Sequence, residues 1–401
     1  MEKKRITDLA AFGGKPIFSY VRSISNLVRP DFNTFIKYLK KSYINRQMTD
    51  NGCLVKELED RLKEVHNVNH CVTFCNGLWG IVLCMKQLAI EGKSEVVMPS
   101  MTYRRLGDIA AWVGLTPHYC DINKEVLGAT PETVEPCINE NTALLLIPQP
   151  IVNICDMEGI TSLAERHQLP IIFDSVEGAY ASYKGKMLGG FGNVECFSMH
   201  ASKLINGFEG GYMTTNDSNL ADIIKKMSCF GMADNGKVEY PGLNAKLNEI
   251  HAAMTIACLD DLDDQIKRNK KRYHQYKTLL ESVEGMDLVN YDESEKRGYK
   301  NILVKINEKW PISRQDTINL MHAENMLVRP YYYPPLHVKK TEYRTIHKEL
   351  SISQMVTEQY MLLPSGEFVT CDDIAKIFSL LKFIQDSGEK LQMKLNNENN
   401  N

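Results

Sequence analysis

Short apolar segments alternate with helical segments through the first half of the chain. The predicted strands, of four to six residues each, are 70–74, 95–98, 117–120, 142–147, 170–173 and 194–197. This alternation is typical of the α/β class, in which helices cover both faces of a mostly parallel, doubly wound sheet. Ligands of such sheets bind beyond the carboxyl ends of the strands. The functional residues are therefore expected directly after the strands.

Four residues with binding or chemical potential follow these strands, namely Gly77, Tyr103, Asp174 and Lys203. A partly buried lysine loses its proton more easily and then attacks carbonyl groups. A loop lysine and an aspartate that ends an earlier strand are the two protein groups that pyridoxal 5'-phosphate (PLP) requires. The alternative is an ordinary surface lysine, because most lysines are exposed. The convergence of four residues on one sheet edge favours the functional interpretation.

The turn after the first strand has the features of an anion site. Cys75-Asn76-Gly77 separates this strand from an apolar helix that is predicted to run to residue 88. Backbone N–H groups and the helix dipole at such a turn are directed at a bound phosphate. An ordinary strand-to-helix turn is the alternative, since many α/β turns share this pattern.

Length and composition exclude several classes of protein. A chain of 401 residues favours two lobes over one. The net charge of -3 gives no indication of a nucleic-acid partner or a polybasic membrane surface. The longest apolar runs, such as 143–147, are too short to span a bilayer, and no secretory signal is predicted. The eleven scattered cysteines lack metal-ligand spacing, so we predict free thiols, no metal site and a cytoplasmic location.

Four segments are predicted along the chain. Residues 1–30 form an N-terminal arm, 31–265 a large domain, 266–388 a smaller α+β C-terminal domain, and 389–401 a disordered tail. The tail prediction rests on its polar, asparagine-rich composition. In the smaller domain the pattern predicts strands at 301–306 and 328–333 and helices at 314–324 and 372–384. A strand at 210–216 is expected to return antiparallel to the main sheet.

The chain resembles the DegT/StrS family of sugar aminotransferases from residue 11 to residue 364. Within that family it is most similar to enzymes that aminate C4 of dTDP-4-keto-6-deoxyglucose. The resemblance implies the fold of type I PLP-dependent transferases, with a mostly parallel sheet of the seven-stranded type in the large domain. The motifs that carry it are Thr49-Asp50-Asn51-Gly52, Met98-Pro99-Ser100-Met101-Thr102-Tyr103, Phe197-Ser198-Met199-His200-Ala201-Ser202-Lys203, Phe208-Glu209-Gly210-Gly211 and Leu243-Asn244-Ala245-Lys246-Leu247.

The resemblance also implies roles for the residues at the sheet edge. Lys203 matches the lysine that binds the cofactor covalently and moves a proton between the amino-acid α-carbon and the cofactor. Asp174 matches the carboxylate that keeps the ring nitrogen protonated. Tyr103 matches an aromatic ring stacked on the cofactor, where stacking contributes about 0.5–1.5 kcal/mol beyond burial.

The phosphate of the cofactor is expected at a second group of residues. Ser198, with the backbone of Gly77 and Leu78, matches the phosphate cup of the family. Asn244 matches a residue that reaches the phosphate from the neighbouring subunit. The resemblance therefore implies a homodimer with shared active sites.

Glu177 departs from the family pattern. Family members usually carry glutamine or histidine three residues after the aspartate, hydrogen-bonded to the cofactor phenolate. Two anionic oxygens in contact repel each other, so we expect Glu177 either to be protonated or to turn away from the cofactor.

The leading expectation for function is an aminotransferase that moves an amino group from L-glutamate to a nucleotide-linked 4-keto-6-deoxy sugar, such as dTDP-4-keto-6-deoxyglucose. Its product would be an amino sugar for polysaccharide or secondary-metabolite biosynthesis. The alternatives are a PLP aminotransferase acting on a 3-keto sugar, an inosose or a keto sugar without a nucleotide, and a non-catalytic PLP-binding regulatory protein. Arg329 is a candidate for binding a substrate anion, and the tyrosines at 331–333 are assigned equally to the substrate cleft and to a packed edge strand.

Overall fold

A large sheet forms the centre of the computed structural model, which describes residues 3–25, 29–233 and 235–399. Its seven main strands lie in the order β3-β2-β4-β5-β6-β7-β1. All neighbouring pairs from β3 to β6 are parallel, and β7 is antiparallel to both of its neighbours. The predicted α/β class and the antiparallel return strand are confirmed. The strands are β1 (His70–Phe74), β2 (Glu95–Pro99), β3 (Thr116–Cys120), β4 (Thr142–Pro148), β5 (Ile171–Asp174), β6 (Val194–Ser198) and β7 (Gly211–Thr215).

Helices cover both faces of this sheet. The central strand β4 is buried along its whole length, as expected for a parallel strand between two helical layers. Asn76 begins the helix after β1, because its side chain accepts a hydrogen bond from the Trp79 N–H at 3.0 Å. The helices are α1 (Phe32–Asn45), α2 (Cys53–His66), α3 (Gly77–Leu88), α4 (Leu106–Trp112), α5 (Pro131–Val134), α6 (Met157–Arg166), α7 (Ser218–Ser228) and α8 (Glu249–Asp260).

The long helix α9 (Leu262–Leu280) leads into a smaller sheet with its own helices. The order of this four-stranded sheet is β8-β9-β11-β10. One apolar core joins the sheet to α9 and α12, with Tyr276, Leu363 and Ile377 at most 1% exposed. The elements are β8 (Met286–Leu288), β9 (Ile302–Ile306), β10 (Arg329–Pro330), β11 (Tyr360–Leu363), α10 (Arg314–Ala323), α11 (Ser351–Gln359), α12 (Cys371–Asp386) and α13 (Gly388–Asn399).

The described part of the predicted N-terminal arm packs against this smaller core. Leu9 and Phe18 are buried in it. The Glu324 carboxylate accepts hydrogen bonds from the N–H groups of Ala10 and Ile17 at 2.8 and 2.7 Å and pairs with Lys3 at 2.9 Å. The N-terminal residues are thus anchored by a buried charge, although the domain limits themselves remain a prediction.

Two sequence predictions for the smaller region are wrong. The segment 389–399, expected as part of a disordered tail, belongs to α13, because Leu391 is fully buried and Leu395 packs on the same core one turn later. The strand expected over 328–333 is shortened to Arg329–Pro330. Pro330 lacks an N–H for the ladder, and Tyr332 turns the chain with a positive φ of 44°.

No helix in residues 3–25, 29–233 and 235–399 is long and apolar enough to cross a membrane.

Short elements complete the described chain. Two-residue strands pair Arg22–Ser23 with Met326–Leu327, Ser182–Tyr183 with Lys186–Met187, and Ile346–His347 with the free edge of β3. The 3-10 turns are Ile6–Asp8, Ala10–Phe12, Glu135–Cys137, Val176–Gly178 and Leu336–Val338.

Candidate active site

Asp174 ends strand β5 near the middle of the large sheet. Its neighbours are Pro148 on β4 and Cys196 on β6, so the carboxylate lies at the edge where parallel strands present ligand-binding residues. The side chain is 7% exposed and accepts a hydrogen bond of 3.4 Å from the Val176 N–H. Burial raises the pKa of Asp174 to about 6, although Lys203 nearby partly offsets this effect. Among the described residues, Asp174 has no ion-pair partner.

Glu177 follows in the 3-10 turn Val176–Gly178 and has three side-chain partners. Its Oε1 accepts a hydrogen bond from Lys203 Nζ at 2.6 Å. Its Oε2 lies 3.5 Å from Lys300 Nζ and 3.3 Å from Asn301 Nδ2. Burial alone would raise the pKa of this carboxyl, but Lys203, Lys300 and Asn301 together hold it well below its usual range. Glu177 is therefore a largely enclosed, ionised carboxylate.

Lys203 lies in the loop between β6 and β7, and backbone hydrogen bonds hold this loop in shape. The Lys203 N–H donates to the His200 carbonyl at 2.8 Å, and the Ala201 N–H donates to the Phe208 carbonyl at 2.8 Å. The lysine side chain is 22% exposed. Burial lowers the pKa of Lys203, but the pairing with Glu177 outweighs burial and leaves the pKa above its ordinary value. The free lysine is thus protonated in this arrangement.

The start of helix α3 lies against the ends of β6 and β7. A Cβ atom on Gly77 would lie 2.9 Å from the Phe197 carbonyl oxygen, and one on Gly211 would lie 2.3 Å from Gly77 Cα. This close approach requires glycine at both positions. The first N–H groups of a helix have no partner inside it. Ser198 lies beside Gly77, and its hydroxyl oxygen accepts a hydrogen bond of 3.3 Å from the His200 N–H.

This set of groups fits PLP. The N–H groups at the start of α3 and the Ser198 hydroxyl can donate to a phosphate. Asp174 is a buried carboxylate with a raised pKa, so a cationic ring nitrogen beside it would relieve the cost of its burial. Lys203 supplies the amine, within electrostatic range of Asp174. The phosphate of the cofactor, its ring nitrogen and the carbon that the amine attacks would thus each meet a group of suitable chemistry at one edge of the sheet.

The sequence matches a known family over most of its length. A model of the DegT/DnrJ/EryC1/StrS aminotransferase family matches residues 31–382. The chain belongs to this family. The predicted membership, the fold of type I PLP-dependent transferases and the PLP cofactor are confirmed, and the protein is a PLP-dependent sugar aminotransferase.

Individual relatives of the aminotransferase are similar over nearly the whole chain. The dTDP-4-amino-4,6-dideoxy-D-glucose transaminase of Escherichia coli is 27% identical, covering 88% of this chain and 95% of the relative. The crystal structure of DesI in the presence of its TDP-sugar product superimposes with a TM-score of 0.92 at 28% identity, covering 98% of this chain and 100% of DesI. Helicobacter pylori PseC has the same fold at a TM-score of 0.83 and 20% identity.

Tyr103 and Asn244 lie at the margins of this site. Tyr103 follows β2 and is 46% exposed. Its phenol group is near enough to Lys203 to contribute to the raised pKa of the lysine. Asn244 is exposed and forms an antiparallel bridge with Cys229. The adjacent Ala245 carbonyl accepts a hydrogen bond of 2.7 Å from the Cys75 N–H, which ties this segment to the turn before α3. Their expected contacts with the cofactor stay predictions.

The geometry of Glu177 narrows one expectation of the sequence analysis. The protonated form is disfavoured, because two ammonium groups and an amide compensate the charge and lower the pKa of Glu177. That the carboxylate turns away from the cofactor stays a prediction. Lys300 and Asn301 were not among the predicted site residues. They come from the smaller region of the aminotransferase, directly before β9, and the only sequence signal is a polar pair that precedes an apolar strand.

The tyrosines at 331–333 of the aminotransferase differ in burial, so the packed edge strand and the substrate cleft do not apply equally to all three. Tyr331 is fully buried, as expected for packing. Tyr332 is half-buried, and burial is the main cause of its raised pKa, to which the charges of Glu177 and Asp174 contribute. Tyr333 is 53% exposed and lies under the Arg314 guanidinium at 4.9 Å. Arg329 is exposed at the start of β10, within electrostatic range of Lys300.

Proposed function

We propose that this aminotransferase moves an amino group from L-glutamate to C4 of a nucleotide-linked 4-keto-6-deoxy sugar, such as dTDP-4-keto-6-deoxyglucose. The observation that carries the proposal is the similarity to DesI, solved with a TDP-sugar product, over 98% of this chain. The name of the Escherichia coli relative indicates a sugar of the same class. The amino sugar formed would enter polysaccharide or secondary-metabolite biosynthesis.

Lys203 is the residue we assign to covalent attachment and proton transfer. When bound, PLP draws electrons from the α-carbon of the amino donor, which makes the hydrogen on that carbon acidic. Lys203 Nζ then serves as the base that takes this proton and as the acid that returns it. Its position in a closed loop beside Glu177 supports this assignment, since a restrained amine can move a proton over a short, defined distance.

Asp174 and the start of α3 are assigned to holding the cofactor. The Asp174 carboxylate would keep a proton on the ring nitrogen, and its raised pKa of about 6 indicates that it lacks a strong cationic partner of its own. The N–H groups of Gly77 and Leu78 and the Ser198 hydroxyl would bind the phosphate. Tyr103 would stack on the ring, which its partly exposed position beside Lys203 allows.

The substrate test uses the purified enzyme loaded with PLP. We expect a PLP absorption band, and amination of dTDP-4-keto-6-deoxyglucose with release of 2-oxoglutarate from L-glutamate, followed by mass spectrometry. Lys203→Ala should lose turnover and the absorption change that accompanies covalent attachment, whereas Lys186→Ala, an exposed lysine in a surface hairpin, should match the wild type. An enzyme that binds PLP but leaves every nucleotide-linked 4-keto sugar unchanged would refute the substrate assignment.

An inosose is the second candidate substrate. The L-glutamine:2-deoxy-scyllo-inosose aminotransferase of Streptomyces fradiae is 30% identical to the chain, but over only 54% of its length. Including 2-deoxy-scyllo-inosose with L-glutamine in the same panel separates the two candidates. A 3-keto sugar in the panel tests the position of amination.

We also propose a homodimer in which Asn244 of one subunit reaches the phosphate bound by the other. Its exposure supports this, as do Tyr43 and Ile44 of α1, which are 75% and 76% exposed on the single chain. Light scattering should give a mass near two chains of 45.7 kDa. Mixing Lys203→Ala with Asn244→Leu protein should restore activity, because one site of the mixed dimer then combines intact Lys203 with intact Asn244. If mixing restores nothing, Asn244 does not act across the interface.

A further inference from the structure

Glu177 loses the free ammonium of Lys203 as a partner when that lysine is linked to the cofactor. In the structure its Oε1 accepts the hydrogen bond from Lys203 Nζ at 2.6 Å. Lys203 is the residue assigned to the covalent link, and a lysine in that link is no longer a free ammonium. The carboxylate then depends on its other partners, Lys300 Nζ and Asn301 Nδ2. A buried carboxylate without a compensating charge is costly.

We propose that Lys300 is a positioning residue of the cofactor site, whose ammonium keeps Glu177 charge-balanced when Lys203 is engaged by PLP. This inference rests on the cofactor site of the proposed function but on no particular sugar. Both side chains are almost enclosed, at 14% exposure for Lys300 and 13% for Glu177. Asn301 can donate a hydrogen bond to the carboxylate but cannot neutralise it. Lys300 is therefore the contacting cation that remains.

The backbone around Lys300 is fixed by the smaller region. The Ser365 hydroxyl donates to the Lys300 carbonyl at 2.8 Å. The Tyr291 hydroxyl donates to the Asn301 carbonyl at 3.0 Å and accepts from the Asn301 N–H at 3.1 Å. Tyr299 precedes them with a positive φ of 48° in a cluster of buried tyrosine rings. Lys300 thus reaches Glu177 from a rigid segment, which suits a permanent partner.

The other charged and titratable groups around the pair do not replace Lys300. Asp174 is a second acid, and Tyr291, Tyr331 and Tyr332 face Glu177 as neutral phenols with raised pKa values, chiefly because they are buried. Arg329 is within electrostatic range of Lys300 but is exposed, so solvent screens it.

A cavity of about 20 Å³ also adjoins Glu177, Lys300 and Asn301. This space holds about one water molecule. The three residues are assigned to support of the cofactor site because Glu177 contacts Lys203, the residue assigned to the covalent link.

The test is a double-mutant cycle that measures the affinity of apo protein for PLP by absorbance titration. Lys300→Met should weaken PLP binding by roughly tenfold, within the range of coupling between contacting residues, because Glu177 is left unbalanced. The double variant Glu177→Gln with Lys300→Met should recover most of that loss, since it removes the charge that needed compensation. Lys300→Arg should stay close to the wild type. Lys305→Met, which removes a partly buried lysine further along β9, is the matched control.

Each outcome of this cycle decides the proposal. Recovery in the double variant supports it, because a purely structural loss at Lys300 would not be repaired by a change at Glu177. Unchanged affinity in Lys300→Met overturns it, and so does an equal loss in the single and double variants. Circular dichroism checks that each variant is folded, and Lys300→Gln, which also removes the charge but keeps a polar side chain, replaces Lys300→Met if that variant does not fold. A wild type that binds PLP but aminates no sugar would refute the proposed substrate without affecting this result.

Discussion

The end of strand β5 and the 3-10 turn after it each carry a largely enclosed carboxylate, and the two differ in their partners within the protein. Asp174 has no ion-pair partner among the described residues, and burial raises its pKa to about 6. Glu177, three residues later, contacts Lys203, Lys300 and Asn301, which hold its pKa well below the usual range despite burial. Two carboxylates that are both largely enclosed thus have opposite pKa shifts, because only one is given ion-pair partners by the protein.

This difference separates a ligand-binding group from a structural one. A carboxylate left unpaired at the ligand edge of a sheet is poised to gain a cationic partner, and the pyridinium of PLP is such a partner. A carboxylate already paired gains nothing from a further cation but holds its neighbours in place. We therefore expect changes at Asp174 to act on the cofactor, and changes at Glu177 to act first on the stability of the protein without cofactor.

The largest effect is expected for Glu177→Ala in the apo protein. Removing this carboxylate leaves the largely enclosed ammonium groups of Lys203 and Lys300 without their partner, which should lower the free energy of unfolding by roughly 3–5 kcal/mol. Glu177 has a lowered pKa, so its stabilisation is fully present above pH 4–5 and is lost only as the pH falls through the much lower pKa of the folded state. Urea unfolding at pH 5.5 and pH 8 should therefore show the loss at both values. A loss confined to pH 8 would contradict the ion-paired description of Glu177.

Asp174→Asn should have the next largest effect, on catalysis by the holoenzyme. An amide of the same shape cannot hold a proton on the ring nitrogen, so turnover should fall by roughly 10²–10³-fold, the range seen when one preorganised electrostatic group is removed. The fall should appear in kcat with any active keto sugar, and the absorption of bound PLP should shift as well. Asp156→Asn is the control, because Asp156 caps α6 and its carboxylate accepts hydrogen bonds from the Gly159 N–H and the Tyr183 hydroxyl rather than from the site residues. Unchanged turnover in Asp174→Asn would remove the distinction between the two carboxylates.

The sequence alone predicted the position of Asp174 at the ligand edge of the sheet, but it did not predict which residues contact Glu177. The strands of the large sheet are short segments rich in apolar residues between turn signals, so β1 was predicted with its observed limits and Asp174 and Lys203 were placed at one edge. The contact between Lys300 and Glu177 joins residues 123 positions apart. It depends on how the smaller region packs against the large sheet, which local periodicity does not encode. Helix α13 was missed for a similar reason, because the burial of Leu391 outweighs the polar composition around it.

A smaller effect with the opposite sign is expected for Asp174→Asn in the apo protein. The folded wild type retains a proton at Asp174 that the unfolded chain releases between about pH 4 and pH 6, so its stability falls as the pH rises through this window. The variant lacks this titration and should be more stable than the wild type above pH 6 by roughly 2–3 kcal/mol, as a shift of about two pKa units implies. Urea unfolding of both proteins should show the difference fading towards pH 4. Destabilisation at pH 8 would mean that Asp174 is already paired.

The smallest effect is expected for Asn301→Ala, which separates charge from hydrogen bonding at Glu177. The variant removes a donor 3.3 Å from Glu177 Oε2, and the loss should be about 1 kcal/mol in the free energy of unfolding, the usual net contribution of one hydrogen bond. Its affinity for PLP should stay near that of the wild type, because Lys300 still supplies the positive charge. If Asn301→Ala weakens PLP binding as strongly as Lys300→Met, hydrogen bonding rather than charge is what Glu177 needs, and any neutral donor could replace the lysine. If only Lys300→Met has this effect, the carboxylate after β5 requires a buried cation of its own whenever Lys203 serves the cofactor.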